Sequence, residues 1–356
     1  MASRLHWDPA LGRTRQLREA GSRGPPILSS RENAVIHRKL MSIRWSSRTT
    51  QFKLNTGADI PALGFGTWQD KEAQEDAVTI ALATGYRHID TARVYGTEAA
   101  VGAAIKKSGV PRSELFITTK LWNNSHHPDD VEPALDASLK DLGTDYVDLY
   151  LMHWPVAWAR GEQLRPKDEN GKLILGDTDY IDTYKAMEKL YKSGKAKAIG
   201  VSNFSRAEMV RLMQNTRVVP AAHQLELHPW LSQPAFDNFH RNRNIHVTQY
   251  SPFGNSNPVY TKGQEMPKLL DDPTLKKIGE KHGKTPAQVA LAWGIAHGRS
   301  VIPKSKTKER IQANLEGDFK LDEDDVKKID EMNKRLRFND PSQNFRWEFY
   351  SDLDGK

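Results

Sequence analysis

From residue 59 onward, short apolar runs alternate with longer segments in which apolar residues recur at helical spacing. The short runs are rich in Val, Ile, Leu and Tyr, as expected of strands that are buried on both faces. They predict strands over residues 59–66, 87–90, 115–120, 146–152, 196–202, 221–226, 245–250 and 300–303. The longer segments predict helices over residues 71–85, 97–109, 129–143, 182–194, 206–214, 233–243, 273–283, 286–298 and 308–315. Most of these helices stop at a glycine, which is a common C-terminal signal.

Eight strand–helix units in about 260 residues is the count of a closed (β/α)8 TIM barrel. We predict one such α/β domain over residues 51–356. The alternative is a doubly wound sheet, which would carry a G-x-G-x-x-G turn after its first strand. Here Gly64-Phe65-Gly66 is followed by Thr67-Trp68-Gln69, so the third glycine of that motif is missing.

Residues 1–50 show no sustained apolar periodicity, and we predict that they form a disordered basic leader. They contain ten Lys or Arg residues and three Asp or Glu residues. Three explanations stay open: an Arg-rich mitochondrial presequence, a non-functional extension upstream of a true start at Met41, and a partner-binding tail. Asp8, Glu19 and Glu32 count against the presequence, because such segments are poor in acidic residues.

The net charge of +7 also lies in the leader. Without residues 1–50, the 52 basic and 45 acidic residues of the chain fall to 42 of each sign, so the predicted barrel is neutral. A groove that follows a phosphate backbone needs excess positive charge on the folded body, so we expect no nucleic-acid partner. No run approaches ~18 apolar residues, so we expect no membrane span. We expect a monomeric cytoplasmic protein, or a mitochondrial one if the leader is a presequence.

Polar and aromatic side chains stand at the predicted C-terminal ends of all eight strands. In a TIM barrel these ends and the loops that follow them form the active site. In chain order they are Gly66-Thr67-Trp68, Asp90 with Tyr95 in its loop, Lys120-Leu121-Trp122, His153-Trp154-Pro155, Ser202-Asn203, Gln224 with Glu226, Tyr250-Ser251-Pro252 and Pro303-Lys304-Ser305. Taken singly, each has an ordinary explanation as a helix cap, a core residue or a solvated lysine. One shared pocket explains all of them together.

Four of these residues could form a proton donor. A tyrosine phenol has a reference pKa near ~10, and a nearby ammonium group favours its ionised form. Lys120 could supply that ammonium to Tyr95, and Asp90 could hold Lys120 in place. His153 could hydrogen-bond a carbonyl oxygen of the substrate. Tyr95 could then donate its proton to that oxygen as it becomes an alkoxide. Because the chain has no cysteine and its histidines have no convincing metal-ligand spacing, we expect no metal and an organic hydride donor.

The chain resembles the aldo-keto reductases in four segments: GYRHIDTARVYGTE, LMHWP, AIGVSNFS and IPKSKTKERIQAN, in the order and spacing of that family's signatures. The resemblance covers about residues 52–350. Within the family, the loop Gly254-Asn255-Ser256-Asn257 and the tryptophan-rich pocket resemble fungal glycerol dehydrogenases and glyceraldehyde-type reductases. The resemblance implies a TIM barrel that binds NADP(H) without a Rossmann fold.

The resemblance also implies a role for each matching residue. The catalytic tetrad would be Asp90, Tyr95, Lys120 and His153, with Tyr95 as the general acid in reduction and the base in oxidation. The substrate pocket would be lined by Trp68, Trp122, His153 and Trp154. The cofactor would be bound by Thr67, Ser202, Asn203, Gln224, Tyr250, Ser251, Phe253, Gly254, Asn255, Lys304, Ser305, Arg310 and Asn314.

The cofactor residues divide by position along the dinucleotide. The carboxamide would be held by Ser202, Asn203 and Gln224, the nicotinamide ring would stack on Tyr250, and the pyrophosphate would follow Ser251, Phe253, Gly254 and Asn255. The adenosine end would be held by Lys304, Ser305, Arg310 and Asn314, the first three near the 2′-phosphate. Many relatives have an acidic residue where this chain has Ala313, and its absence is expected to weaken adenine binding.

These features favour an NADPH-dependent oxidoreductase that reduces small aldehydes and ketones and reversibly oxidises polyols such as glycerol. The tail after Asp322 is expected to form a helix and then a flap over the barrel mouth, with Phe345, Trp347 and Phe349 bordering the pocket. Two alternatives stay open. One is a cofactor-sensing regulatory subunit of the kind that this family supplies to ion channels, and the other is a non-catalytic barrel.

Overall fold

A computed structural model describes residues 49–254 and 267–353. Eight parallel strands form one sheet in chain order. The first and last strands meet through a parallel bridge between Leu63 and Val301, where the Gly64 amide donates to the Val301 carbonyl at 2.8 Å. The sheet therefore closes into a barrel, which confirms the predicted TIM barrel and excludes the doubly wound alternative. Residues 1–48 of the predicted leader, and Asn255, lie outside the described residues.

The barrel strands follow an antiparallel hairpin of β1 (Gln51–Lys53) and β2 (Asp59–Pro61). They are β3 (Phe65–Gly66), β4 (His88–Asp90), β5 (Phe116–Leu121), β6 (Leu149–Met152), β7 (Ile199–Ser202), β8 (Ala222–Glu226), β9 (His246–Tyr250) and β10 (Ser300–Val301). The predicted first strand, residues 59–66, is therefore two elements, because its first part pairs with β1 outside the barrel. Strand β3 packs closely against the last strand: a Cβ atom at Gly66 would lie 2.9 Å from the Ile302 carbonyl oxygen.

The predicted helices are all present to within a few residues. They are α1 (Gln74–Thr84), α2 (Glu98–Ser108), α3 (Pro128–Leu142), α4 (Tyr180–Ser193), α5 (Arg206–Asn215), α6 (Pro234–Arg241), α7 (Pro273–His282), α8 (Pro286–Ala296) and α9 (Lys308–Leu315). Gly109 and Gly143 end α2 and α3 with φ of 64° and 66°, the left-handed conformation that glycine adopts without steric strain. Across the described ranges, no helix has both the length and the apolar composition that crossing a membrane requires.

The tail folds back over the barrel mouth, as predicted for the flap. After Asp322 it forms α10 (Glu323–Asp330) and the short α11 (Ser342–Phe345). The rings of Phe345 and Phe349 pack against Trp154, with centroids 5.1 and 4.9 Å away. The Trp347 indole donates to Glu208 at 2.8 Å, which joins the tail to α5. The tail therefore covers the side of the barrel mouth formed by the ends of β6 and β7.

Candidate active site

A buried ion pair lies at the centre of the barrel mouth. Lys120 Nζ, from the end of β5, donates to Asp90 Oδ1 at 2.6 Å and to the Thr91 carbonyl at 2.9 Å. Both charged side chains are almost completely buried, at 0% and 3% exposure. Burial lowers the pKa of Lys120 below its ordinary value, and attraction to Asp90 opposes that fall. A charged group is costly to bury in a protein interior, and the pairing with Asp90 offsets that cost for the Lys120 ammonium.

Tyr95 and His153 face this pair, as the sequence predicts. Tyr95 ends a short 3-10 turn after β4, and Gly96 follows it with φ of 64°, which reverses the chain. Lys120 Nζ lies 5.2 Å from the centroid of the Tyr95 ring, and the His153 ring centroid lies 5.8 Å from it. The four predicted tetrad residues therefore converge on one small volume, although they come from three different strand ends.

His153 is a neutral imidazole at physiological pH. Burial, and secondarily the charge of Lys120, hold the pKa of His153 well below its usual 6.5. Its Nδ1 atom is buried and has no hydrogen-bond partner among residues 49–254 and 267–353. A neutral imidazole has one donor and one acceptor nitrogen, so His153 can donate a hydrogen bond without adding a second positive charge beside Lys120.

Polar side chains from β7 to β9 join the same site. Gln224 Nε2 donates to Asp90 Oδ2 at 2.7 Å, which fixes the second carboxylate oxygen. Asn203, with φ of 63°, donates from Nδ2 to the His153 carbonyl at 3.0 Å. The Tyr250 hydroxyl donates to Asn203 Oδ1 at 2.8 Å. Two residues predicted to hold a carboxamide, Gln224 and Asn203, thus contact two predicted tetrad residues, and Tyr250 contacts Asn203.

One cavity of about 280 Å³ brings most of the predicted residues together. Its lining includes the predicted residues Thr67, Trp68, Asp90, Tyr95, Trp122, His153, Trp154, Ser202, Asn203, Gln224, Tyr250, Ser251, Phe253, Gly254 and Lys304. Its wall also contains Gln69, Val94, Arg165, Ile302 and Asn339, to which the sequence analysis assigned no role. Val94 and Ile302 fall inside two of the quoted segments. Arg165 and Asn339 lie in irregular connections with no periodic signal.

Three other predicted cofactor residues do not line this cavity and lie just before or within α9: Ser305, Arg310 and Asn314. The Arg310 Nη2 atom donates to Thr307 Oγ1 at 2.6 Å, and its Nε donates to Ser305 Oγ at 3.3 Å. Asn314 is buried on the same helix. Lys304 lines the cavity and is followed directly by Ser305, so it lies between the cavity and the hydrogen-bonded residues Ser305, Thr307 and Arg310. Lys304 and Lys306 both pair with Asp70, which the sequence analysis did not single out.

The cavity borders the C-terminal tail. Gly254, in its wall, has φ of 66°, and a Cβ atom there would lie 2.8 Å from the Phe338 ring. A side chain at this position would therefore collide with the tail. Lys304 and the Tyr250 ring both line the cavity, so its wall contains a cation as well as a flat aromatic surface.

One group of potential metal ligands occurs elsewhere in the described part of the chain. His282, Asp322 and Asp325 have ligand atoms within 4.8 Å of one another. Lys281 Nζ forms ion pairs with both carboxylates at 2.7 Å, so the Lys281 ammonium already provides positive charge beside this cluster. None of the three side chains lines the cavity described above.

Comparison with known proteins agrees with this geometry. The sequence model of the Aldo/keto reductase family matches residues 62–334. An uncharacterized oxidoreductase of Schizosaccharomyces pombe is 45% identical over 297 residues, which is 83% of this chain and 92% of that protein. Aldo-keto reductase family 1 member A1 of Xenopus tropicalis is 45% identical over 292 residues, covering 80% of this chain and 89% of its own length. The bovine protein of the same name is 43% identical over 292 residues, with coverages of 80% and 90%.

A solved structure gives the same result for the fold. The aldose reductase of Schistosoma japonicum superposes with a TM-score of 0.78 at 34% identity. The match covers 85% of this chain and 98% of that structure. The range matched by the family model, residues 62–334, contains all four residues of the predicted catalytic tetrad.

Proposed function

We propose that this chain, which belongs to the aldo/keto reductase family of oxidoreductases, is an NADPH-dependent reductase of small aldehydes and ketones. In the reverse direction it would oxidise the corresponding alcohols, including polyols such as glycerol. The observation that carries the proposal is the buried Lys120–Asp90 pair facing Tyr95 and His153 in a cavity that also contains Tyr250. This arrangement favours catalysis over the regulatory and non-catalytic alternatives, because a binding function alone does not need a desolvated charge pair beside a phenol.

The residues of the tetrad divide the proton chemistry between them. A bound nicotinamide cofactor supplies the hydride. As negative charge develops on the carbonyl oxygen, Tyr95 donates its hydroxyl proton to that oxygen. The Lys120 ammonium stabilises the resulting phenolate, and Asp90 keeps the ammonium charged and in position. Neutral His153 donates a hydrogen bond to the same oxygen and so orients the carbonyl.

The cavity wall supports the remaining parts of the proposal. Ser202, Asn203 and Gln224 would hold the carboxamide, and Tyr250 would cover one face of its ring. Ser251, Phe253, Gly254 and Asn255 would follow the pyrophosphate. Lys304, Ser305 and Arg310 would bind the 2′-phosphate at the start of α9, where amide donors and the helix dipole favour an anion, and Asn314 would contact adenosine.

The aromatic wall suits a small carbonyl substrate. Trp68 packs on Tyr95 with ring centroids 4.8 Å apart, and Trp122 packs edge-on against His153 at 5.1 Å. With Trp154 and the tail they keep water from the reacting oxygen, which strengthens each electrostatic interaction there. A monomeric state, a cytoplasmic location, and the division into a leader and one domain at residue 50 remain predictions from the sequence.

Replacing Tyr95 by phenylalanine tests the proposal directly. The change keeps the ring that packs on Trp68 and removes the proton donor, so turnover should fall by about 10²–10⁴-fold. NADPH binding, measured by fluorescence titration, should stay within about twofold, because the hydroxyl acts on the developing alkoxide rather than on the ground state. Oxidation of NADPH would be followed by absorbance over a panel of small aldehydes.

Tyr191→Phe is the matched control. Tyr191 is half-buried on α4, outside the cavity, and this variant should behave as the parent does. A Tyr95→Phe protein that reduces a good aldehyde within a few-fold of the parent rate would contradict the proposed chemistry. A parent protein that reduces no aldehyde on the panel with either NADPH or NADH would contradict the proposed function itself.

A further inference from the structure

Asp70 binds the lysine that the proposed function assigns to the 2′-phosphate. Its Oδ2 atom pairs with Lys304 Nζ, and its Oδ1 atom lies 3.3 Å from Lys306 Nζ. The pairs join segments 234 residues apart in the chain, across the closure of the barrel. The hydrogen bond from Lys304 is the largest cause that lowers the pKa of Asp70 below its usual range, so the carboxylate is ionised at neutral pH.

The backbone around Asp70 is held in an uncommon conformation. Gln69 and Asp70 are consecutive non-glycine residues with positive φ, at 70° and 55°. Such residues are disfavoured in the left-handed region, although aspartate tolerates it better than most. The two lysine contacts therefore help to fix a turn that would otherwise favour another conformation. This turn follows Trp68, which packs on Tyr95 in the substrate wall.

We infer that Asp70 is a specificity-determining residue that competes with the 2′-phosphate of the cofactor for Lys304 and Lys306. The inference rests on the proposed function, because it takes the phosphate of NADPH as the competing anion. A phosphate ester that approaches Lys304 must displace a carboxylate already paired with it. A dinucleotide that lacks the 2′-phosphate leaves the Asp70–Lys304 pair intact. Asp70 therefore weakens NADPH binding selectively and narrows the preference of this protein for NADPH over NADH.

The exposure of the contacts sets the expected magnitude. The side chains of Asp70 and Lys304 are 30% and 29% exposed, and that of Lys306 is 58% exposed. Partly exposed ion pairs of this kind each change an equilibrium by roughly 1.5- to 5-fold. Two such pairs, both lost when the phosphate binds, predict an effect of about 2- to 25-fold on the NADPH dissociation constant.

The test is to replace Asp70 by asparagine, which keeps the shape of the side chain and removes its charge. NADPH should bind Asp70→Asn about 2- to 25-fold more tightly than the parent, and NADH should bind within about twofold. The fragments 2′,5′-ADP and 5′-AMP should show the same contrast, because they differ in the 2′-phosphate. Isothermal titration calorimetry at fixed salt measures all four dissociation constants without any turnover.

Two further variants separate competition from a general change in charge. Glu72→Gln removes one negative charge from an exposed position two residues away, and it should change NADPH binding by less than about twofold. In a Lys304→Met background, Asp70→Asn should lose about half of its free-energy effect, because only the pair with Lys306 remains to be released. Unchanged NADPH affinity in Asp70→Asn, or an equal gain in Glu72→Gln, would overturn the inference. So would a full gain in the Lys304→Met background.

These outcomes are distinct from failure of the proposed function. A parent protein that binds neither dinucleotide would refute the cofactor assignment and remove the basis for the inference at the same time. A parent protein that prefers NADPH, with an Asp70→Asn variant identical to it, would leave the proposed function standing and refute only the role of Asp70. Melting temperatures of each variant would show that the affinities refer to folded protein.

Discussion

Replacing Lys120 by methionine should separate the catalytic role of the buried ammonium from its structural role. The ammonium lies 5.2 Å from the Tyr95 ring centroid. A negative charge at that centroid would attract it by about 3 kcal/mol if the effective dielectric constant is about 20. Loss of this attraction corresponds to about a 100-fold decrease in the rate of proton transfer. Methionine has a similar length and no charge, so the cavity wall should keep its shape.

The same change should also destabilise the protein. Without Lys120, the buried Asp90 carboxylate would keep the hydrogen bond from Gln224 Nε2 at 2.7 Å but would lose its partner of opposite charge. Removing one member of a buried ion pair typically costs about 3–5 kcal/mol of unfolding free energy. The double variant Lys120→Met with Asp90→Asn should recover half or more of that loss, because no uncompensated charge would remain. It should not recover the rate.

The two readouts are urea unfolding and single-turnover hydride transfer, followed by NADPH absorbance. The expected pattern is one in which stability returns in the double variant while the rate stays about 100-fold low. If the double variant recovers both, the ammonium acts only by supporting the fold, and the electrostatic argument is wrong. A Lys120→Met protein whose rate lies within about threefold of the parent would refute it more directly.

Two other variants test the periphery of the site. Arg310→Ala should weaken NADPH binding by about 1–3 kcal/mol, the range for a lost charge-assisted hydrogen bond, and leave NADH binding unchanged; equal losses for both cofactors in a fluorescence titration would make Arg310 structural. Glu226→Gln should loosen the tail. The two carboxylate oxygens of Glu226 accept hydrogen bonds from the backbone amides of Phe338 and Asn339 at 2.7 and 2.8 Å, and a glutamine side chain has only one acceptor oxygen. Faster amide hydrogen exchange over residues 338–353 than in the parent would support this, and unchanged exchange would contradict it.

The barrel and the convergence of the four proposed tetrad residues could be predicted because their signals are local. Each strand is a short apolar run, and each catalytic candidate follows one, so the strand ends could be located before their contacts were known. Asp90 and Lys120 are 30 residues apart, but parallel pairing of β4 with β5 brings their strand ends together. The contact between Asp90 and Lys120 is therefore expected from the TIM barrel, in which the C-terminal ends of all strands lie at one face.

The contacts that were missed depend on long-range packing of irregular segments. Asp70 gave no signal, because its partners Lys304 and Lys306 lie more than 230 residues away. Glu226 is one of the polar residues at the strand ends, and its carboxylate accepts the backbone amides of Phe338 and Asn339 in the tail. Arg165 reaches the cavity from a connection without periodicity, so no hydrophobic pattern pointed to it. In these segments the role of a side chain depends on a partner that is distant in the sequence, so the local sequence pattern does not reveal that role.

The charges of the site divide into two regions with different consequences. At the centre, the cation of Lys120 is balanced by Asp90 at 2.6 Å, so this region has little net attraction for a dinucleotide. At the periphery, Lys304, Lys306 and Arg310 outnumber the single carboxylate of Asp70. In the proposed reaction, attraction for the phosphates of NADPH would therefore come from the periphery, and stabilisation of the phenolate would come from the centre. Substitutions at the centre should therefore change rate constants more than cofactor affinity. Substitutions at the periphery should do the reverse, because the charges there would act on the bound cofactor and not on the reacting oxygen.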